Sequence, residues 1–107
     1  MGSVLYICRM EITNKITLVE FSRKHTDSIN PLNKWIETVE ENEFANHNEL
    51  KALFPSADYV GNNRYVFNIK GNRYRLVVLV IFINGRMQIR FCGTHAEYDK
   101  IKDIKNI

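Results

Sequence analysis

Four side chains in the second half of the sequence have the types that cleavage of RNA would require. Arg75 and Arg90 are permanent cations, whereas His95 and Tyr98 are side chains that commonly transfer protons. Together they suit metal-free cleavage of a ribose phosphodiester, in which a base activates the 2′-hydroxyl, cations stabilise the phosphorane, and an acid protonates the leaving 5′-oxygen. For His95, the alternative is an exposed residue near the C-terminus with no chemical role.

The spacing around His95 predicts a short helix. Thr94 followed by Glu97 fits a capping box, in which each side chain accepts a hydrogen bond from the backbone of the other residue. This pair therefore has a structural explanation. His95 and Tyr98 are three residues apart, so they lie on the same side of that helical turn.

Three predicted strands carry the arginines. Runs rich in β-branched and aromatic residues cover 64–69, 73–83 and 86–92. Residues 70–72 form a turn, and Asn84-Gly85 favours a two-residue type I′ hairpin. The last run alternates strictly, so one face is predicted to hold Arg86, Gln88, Arg90 and Cys92, and the core-facing side Met87, Ile89 and Phe91.

Convergence of the cations depends on how these strands pair. If 73–83 is a central strand that is antiparallel to both neighbours, Arg64 or Asn68 and Arg90 can lie close to Arg75 on one face. The sequence does not fix the register, so this convergence is a hypothesis.

The first half of the chain predicts helices that pack on this sheet. Residues 10–13 form a short strand, and Asn14 is a candidate N-cap for a helix over 15–25. A second helix begins at Asp27 or at Asn30-Pro31, and a third begins at Asn46 or Asn48 and ends at Pro55. The second helix has an amphipathic stripe, formed by Leu32, Trp35, Ile36 and Val39. The prediction is an α+β domain in two layers.

Composition and charge narrow the class of protein. The 107 residues are 45% apolar and 25% charged, which indicates one globular domain over 10–107, with residues 1–9 as an extension or an upstream start. No apolar run is long enough for a membrane span, no convincing signal peptide is present, and two cysteines favour reduced thiols in a cytoplasm.

The net charge of +3 combines −3 over residues 1–61 with +6 over 62–107, as expected of a polyanion binder or of an ordinary solvated surface. Three scattered histidines and the lack of a CxxC motif make a structural zinc site improbable.

Several blocks of the sequence, taken in order, resemble the HigB-type toxins of bacterial toxin–antitoxin pairs, which belong to the wider RelE-like group. The resemblance spans residues 10–102, and its blocks are 50–58, 64–69, 71–76, 89–90 and 94–99. It implies two to three N-terminal helices on a twisted antiparallel sheet of three to four strands, with a short C-terminal helical segment. It also implies a cytoplasmic, ribosome-dependent mRNA endoribonuclease that uses no metal or other cofactor. The implied partners are a HigA-like helix-turn-helix antitoxin and the ribosome with its mRNA, with operator DNA bound only through the antitoxin.

The resemblance also assigns roles to individual residues. Arg75 and Arg90 match the strand arginines that contact phosphate or the transition state, and His95 and Tyr98 match the pair that transfers protons and stacks on bases. Asp99 matches too, as a residue that orients His95 or caps a helix. Lys70 departs from the glycine expected at its position, which adds a cation beside the site. The residues expected to contact RNA are Arg64, Asn68, Lys70, Asn72, Arg73 and Lys100.

Two alternative functions remain open from the residues themselves. A non-catalytic RNA-binding module could use the basic sheet and its aromatic residues, although it would not need a histidine and a tyrosine beside arginines. An interaction domain could instead use its basic face to dock an acidic protein.

Overall fold

A five-stranded mixed sheet forms the framework of the computed structural model, which describes residues 10–107. The strand order is β1-β5-β4-β3-β2. All neighbours are antiparallel except β1 and β5, which run parallel. The strands are β1 (Glu11–Thr13), β2 (Asp58–Gly61), β3 (Arg64–Ile69), β4 (Tyr74–Ile81) and β5 (Arg86–Thr94), and the helices are α1 (Ile16–Lys24), α2 (Ile29–Glu40), α3 (His47–Leu53) and α4 (His95–Asp99).

The predicted α+β class is confirmed, with helices packed on a sheet and a short C-terminal helix. The predicted strand count and direction differ from the structure, which has five strands instead of three to four and one parallel pair. The strand missed by the prediction is β2, which has four residues and no buried one, so it lacks an alternating pattern. The predicted extension at residues 1–9 lies outside the described residues.

The helices cover one face of the sheet and form the core with it. In α2, Leu32, Trp35 and Val39 are buried, as the amphipathic stripe predicted. The rings of Trp35 and Phe67 pack edge-on, with 5.3 Å between their centroids. α3 begins at the first of its two predicted starts, and the Asn46 side chain caps it by accepting a hydrogen bond from the Glu49 amide.

The predicted cap of α1 is wrong. Lys15 stands at the N-cap position without a capping hydrogen bond from its side chain, while Asn14 adopts a positive φ of 65° and donates to the Ile89 carbonyl at 2.9 Å. Asn14 therefore ties the start of α1 to β5, in a left-handed conformation that asparagine tolerates better than most residues.

The hairpin between β4 and β5 also differs from its prediction. β4 ends at Ile81, and a 3₁₀ turn over Phe82–Asn84 leads to Gly85, whose φ of 65° is left-handed. The two-residue type I′ turn is therefore wrong, because only Gly85 of the Asn84-Gly85 pair has a positive φ.

A β-bulge interrupts the predicted alternation of β5. Val77 pairs with Phe91 but Val78 pairs with Ile89, so Arg90 is the extra residue. The residues after the bulge exchange faces. Cys92 packs against the helix-side core, whereas Phe91 pairs with Val77 and lies with it on the opposite face. The predicted grouping of Cys92 with Arg90 and of Phe91 with the core is therefore wrong.

The C-terminal residues cross the sheet face that the helices leave open. The Asn62 side chain donates to the Lys105 carbonyl at 3.1 Å and to Asn106 Oδ1 at 3.0 Å. Val66 and Val77 are buried although they lie outside the helix-side core cluster, which places them on this second face. Arg75 lies on the same face, since it is one strand position after Tyr74, whose ring is in the core cluster.

Candidate active site

Arg75 is the one charged residue that is buried among residues 10–107, with 9% of its surface exposed. Its Nη1 donates to the Asn72 carbonyl at 3.0 Å, and its Nη2 donates to Asn72 Oδ1 at 2.7 Å. Asn68 pairs with Arg75 across β3 and β4, which is one of the two alternatives predicted from the sequence. The guanidinium is therefore fixed by an uncharged residue, which leaves its positive charge available to a phosphate.

The turn that carries Asn72 has a backbone that favours glycine. Lys70 has a φ of 53° and Gly71 a φ of 63°, so both residues are left-handed. A glycine at position 70 would adopt this conformation without steric cost, which explains why the resemblance favours glycine there. The lysine is accommodated at a position where L-residues are uncommon.

Tyr98 lies beside Arg75. The Arg75 Cζ atom is 5.9 Å from the centroid of the Tyr98 ring, within the range of a cation–π contact. Burial raises the pKa of the Tyr98 phenol, the charges of Asp58 and Asp99 raise it further, and only the Arg75 charge opposes them. Tyr98 is therefore protonated at neutral pH and can donate a proton or a hydrogen bond, but it cannot act as a resting-state base.

The predicted capping box places His95 and Tyr98 on one turn. Thr94 Oγ1 accepts from the Glu97 amide at 3.1 Å, and Glu97 Oε1 accepts from the Thr94 amide at 2.8 Å, so the prediction is confirmed. The His95 amide donates to the Arg73 carbonyl at 3.2 Å, which ties α4 to the start of β4. The exposed His95 ring has Nδ1 3.0 Å from Asp99 Oδ2, so Nε2 is the nitrogen left for a substrate.

These contacts define a group that we call the Arg75 cluster: Asn72, Arg75, His95, Tyr98 and Asp99. Its members come from the β3–β4 turn, from β4 and from α4. It contains three of the four residues predicted to be catalytic.

The fourth, Arg90, forms its hydrogen bonds elsewhere. Arg90 Nε donates to the Ile107 carbonyl at 3.0 Å, and Arg64 Nη2 donates to the same oxygen at 2.8 Å. Arg64 pairs with Leu79, four positions along β4 from Arg75, a separation of about 13 Å at the usual rise of a strand. We call these two residues the Arg64–Arg90 pair. Its other hydrogen bonds are to Asn62 and Gln88, and none is to the Arg75 cluster.

Two further residues predicted to contact RNA form ion pairs with Asp27 of the helical layer. Arg73 Nη1 lies 2.8 Å and Lys70 Nζ 3.8 Å from Asp27 Oδ2, and Tyr74 donates to Asp27 Oδ1 at 2.5 Å. The hydrogen bond from Tyr74, followed by that from Arg73 and the nearby cations, lowers the pKa of Asp27. No local pattern in the sequence predicts this contact, because Asp27 and Arg73 are 46 residues apart.

The remaining predicted contacts lie at the edges of the site. Lys100 is exposed at the end of α4. Asn68 borders a surface depression of about 240 Å³ that it shares with Lys70 and residues of α2. Which of these residues contact RNA stays a prediction.

Neither the Cys92 thiol nor a cluster of metal-ligating side chains forms a second candidate site among residues 10–107. Burial raises the pKa of the Cys92 thiol to about 12, so it is not a thiolate nucleophile at neutral pH. Within residues 10–107, no three His, Cys, Asp or Glu side chains are grouped as a metal-binding set. None of the helices in this part of the chain is both long enough and apolar enough to span a membrane.

Comparison with known proteins identifies the family to which the chain is similar. A family model described as HigB_toxin, the RelE-like toxic component of a toxin-antitoxin system, matches residues 28–101. The mRNA interferase HigB of Escherichia coli O6:H1 is 30% identical over 94 residues, which cover 86% of this chain and 91% of that relative. The mRNA interferase toxin HigB of Escherichia coli K12 is 42% identical over 65 residues, which cover 58% of this chain and 62% of that relative.

The fold and the matched family define the class as the RelE-like toxins of toxin–antitoxin systems. Within that class, the chain belongs to the HigB toxin family. Membership of this family implies a cognate antitoxin as partner.

Proposed function

We propose that this protein is a ribosome-dependent mRNA endoribonuclease that inhibits translation, and that the Arg75 cluster cleaves the message without a metal ion. The observation that carries the proposal is the buried Arg75 guanidinium, held by Asn72 and lying 5.9 Å from the Tyr98 ring. The name of the similar proteins, mRNA interferase, supports the same activity.

In the proposed reaction, the 2′-hydroxyl of the ribose attacks the adjacent phosphorus. His95 Nε2 takes the 2′-hydroxyl proton as the O2′–P bond forms, and Asp99 at Nδ1 stabilises the resulting imidazolium. Arg75 stabilises the negative charge that develops on the phosphorane oxygens. The P–O5′ bond then breaks, and the products are a 2′,3′-cyclic phosphate and a 5′-hydroxyl end.

Tyr98 is assigned as the acid that protonates the leaving 5′-oxygen. Its raised pKa keeps the phenol protonated before the reaction. When the proton leaves, the adjacent Arg75 cation stabilises the phenolate. Each of the two proton-transfer residues thus has a neighbour whose charge opposes the one it acquires.

Arg90 is proposed to contact the RNA backbone on either side of the cut, together with Arg64. The two guanidinium groups already share one oxygen, that of Ile107, which resembles the way two arginines hold a phosphate oxygen. Asn68, Lys70, Arg73 and Lys100 complete the proposed RNA-binding surface.

The ribosome is proposed to supply the substrate geometry. The Arg75 cluster has few groups, and positioning of the reacting atoms can be worth about 7–11 kcal/mol. The proposed partners are therefore the translating ribosome with its mRNA and a HigA-like helix-turn-helix antitoxin, which alone would bind operator DNA. The proposed location is the cytoplasm, where translation occurs.

The experiment that tests the proposal is induction of the protein in growing bacteria, followed by mapping of 5′ ends on translated and untranslated messages. We expect discrete cuts confined to translated messages. Binding to RNA or ribosomes without cuts would identify a non-catalytic RNA-binding module, and neither cuts nor binding would leave a docking domain for an acidic protein. Either outcome would contradict the proposed reaction.

A further inference from the structure

Asp27 contacts the turn between β3 and β4 at three points. It lies in the 3₁₀ turn Thr26–Ser28, which connects α1 to α2. Its carboxylate oxygens are 2.8 Å from Arg73 Nη1, 3.8 Å from Lys70 Nζ and 2.5 Å from the Tyr74 hydroxyl. The carboxylate therefore joins the helical layer to the turn that precedes β4.

The same turn holds two parts of the Arg75 cluster. Asn72 supplies the two oxygens closest to the Arg75 guanidinium, at 3.0 and 2.7 Å, and the Tyr74 carbonyl is a third at 3.4 Å. The Arg73 carbonyl accepts a hydrogen bond from the His95 amide, at the first residue of α4. A displacement of this turn would consequently move Arg75 and the start of the helix that bears His95 and Tyr98.

The turn has an uncommon backbone conformation, so contacts from outside the turn help to hold it in place. Lys70 and Gly71 both have positive φ values, and Lys70 is a residue type that rarely occupies this region. Such conformations persist when the surrounding structure determines them. Among the described contacts, those of Asp27 hold the side chains at both ends of the turn, Lys70 and Arg73.

We propose that Asp27 is a positioning residue of the active site, which aims Arg75 and α4 through the β3–β4 turn and, by its charge, weakens the contacts of Lys70 and Arg73 with RNA. This inference rests on the proposed function. It assigns Asp27 two effects of opposite sign, since the carboxylate favours catalytic geometry and opposes the attraction of RNA to two cations.

The two effects separate a positioning role from a merely structural one. Asp27→Asn retains an oxygen that can accept from Tyr74 but removes the charge that holds Lys70 and Arg73. We expect the single-turnover cleavage rate on mRNA-programmed ribosomes to fall by about 10–100-fold, in the range that a misplacement of about 1 Å causes. We expect binding to the same complex to be as tight or tighter, because two cations are released.

Salt dependence gives a second readout of the released cations. Each additional phosphate contact on a single strand steepens the dependence of log K on log salt by about 0.7, so two cations would add up to about 1.4. The matched control is Glu40→Gln, because Glu40 forms an exposed ion pair with Lys15 at 2.7 Å that involves neither the turn nor α4. We expect neither the rate nor the slope to change in this control.

A spectroscopic readout distinguishes failure of this inference from failure of the proposed function. In ¹H–¹⁵N NMR spectra of the free protein, we expect the Arg75 Nε and His95 amide signals to move in Asp27→Asn and to stay in place in Glu40→Gln. Unmoved signals in Asp27→Asn would overturn the inference even if the wild type cleaves. Moved signals with no cleavage by the wild type would support the positioning role while contradicting the proposed function. The inference would also be overturned if Asp27→Asn cleaved as fast as the wild type. A parallel loss of cleavage rate, binding affinity and folded fraction in Asp27→Asn would overturn it too.

Discussion

Arg75 and Arg90 lie on adjacent strands of one sheet, but they differ in burial and in what holds them. Arg75 is buried, and it is held by the side chain of Asn72, an uncharged residue in the turn just before β4. Arg90 is exposed at a bulge and shares a main-chain oxygen of Ile107 with Arg64. One guanidinium is fixed before any substrate arrives, while the other is bound to an oxygen that a phosphate could replace.

This difference has a consequence for catalysis. A preorganised cation shielded from water stabilises developing charge strongly, because no reorganisation is needed as the reaction proceeds. An exposed cation interacts through water and is screened by salt, so it contributes more to binding than to the chemical step. We therefore expect the two regions to respond differently to the same substitution.

The largest effects are expected from the proton-transfer residues of the Arg75 cluster. His95→Gln and Tyr98→Phe should each slow single-turnover cleavage by about 10²–10⁴-fold, since each removes a proton donor or acceptor. Binding to mRNA-programmed ribosomes should be retained. The matched controls are His47→Gln and Tyr59→Phe, which make the same changes at the opposite end of β3. Wild-type cleavage by either test variant would remove that residue from the mechanism.

Arg75 should have the next largest effect. Arg75→Ala is expected to reduce the cleavage rate by about 10²–10³-fold, comparable to the loss of an oxyanion-stabilising donor. Arg75→Lys should restore little activity, because an ammonium group lacks the planar fork that contacts Asn72 and a phosphate together. Thermal unfolding would confirm that both variants fold. Cleavage within a few-fold of wild type in Arg75→Ala would contradict the assigned role.

Arg90 should affect binding more than cleavage. Arg90→Ala is expected to weaken ribosome–mRNA binding and to flatten the salt dependence by about 0.7, as loss of one single-strand phosphate contact would. The rate at saturation should change by less than about threefold. Arg86→Ala removes another exposed arginine of β5 and is the control. A loss of rate as large as that of Arg75→Ala would show that the two regions are not distinct.

The smallest effect concerns stability and pH. Asp27 has a lowered pKa in the folded state, so its contribution to stability is complete above the ordinary value of 3.8 and is lost as the pH falls through the lowered value. The difference in melting temperature between wild type and Asp27→Asn should therefore be constant near neutral pH and shrink in acid. The Asp27 side chain is about one-third exposed (33%), so water weakens its interactions and the difference should be small throughout. A difference that grows on acidification would contradict the assigned interactions.

The features of the fold that were predicted correctly have local causes. The stripe of α2, the start of α3 at Asn46 and the Thr94–Glu97 capping box each depend on residues within a few positions of one another. The turn at 70–72 was also located, because Lys-Gly-Asn interrupts two apolar strands.

The features that were missed depend on contacts between distant segments. The bulge at Arg90 is set by the pairing of β4 with β5, and it reverses the faces of Phe91 and Cys92. The parallel direction of β1 is fixed by three residue pairs with β5, and the Asn14 side chain bonds to Ile89, 75 positions away. Such contacts have no signal in the spacing of neighbouring residues.

For the candidate site, the sequence identified residue types better than their neighbours. His95 and Tyr98 were placed on one turn by their spacing. The pairing hypothesis offered Arg64 or Asn68 as the neighbour of Arg75, and the register selects Asn68. The association of Arg90 with Arg64 required the path of the C-terminal segment, and that of Arg73 with Asp27 required the packing of the helices.

The most direct test of the central claim is cleavage of a ribosome-bound message that carries a single 2′-deoxynucleotide at the mapped cut position. The proposed reaction requires the 2′-hydroxyl at that nucleotide as its nucleophile. We expect wild-type protein to cut the all-ribose message to a 2′,3′-cyclic phosphate and a 5′-hydroxyl end, and to leave the substituted position uncut. Cleavage of both messages at the same position and rate would contradict the account.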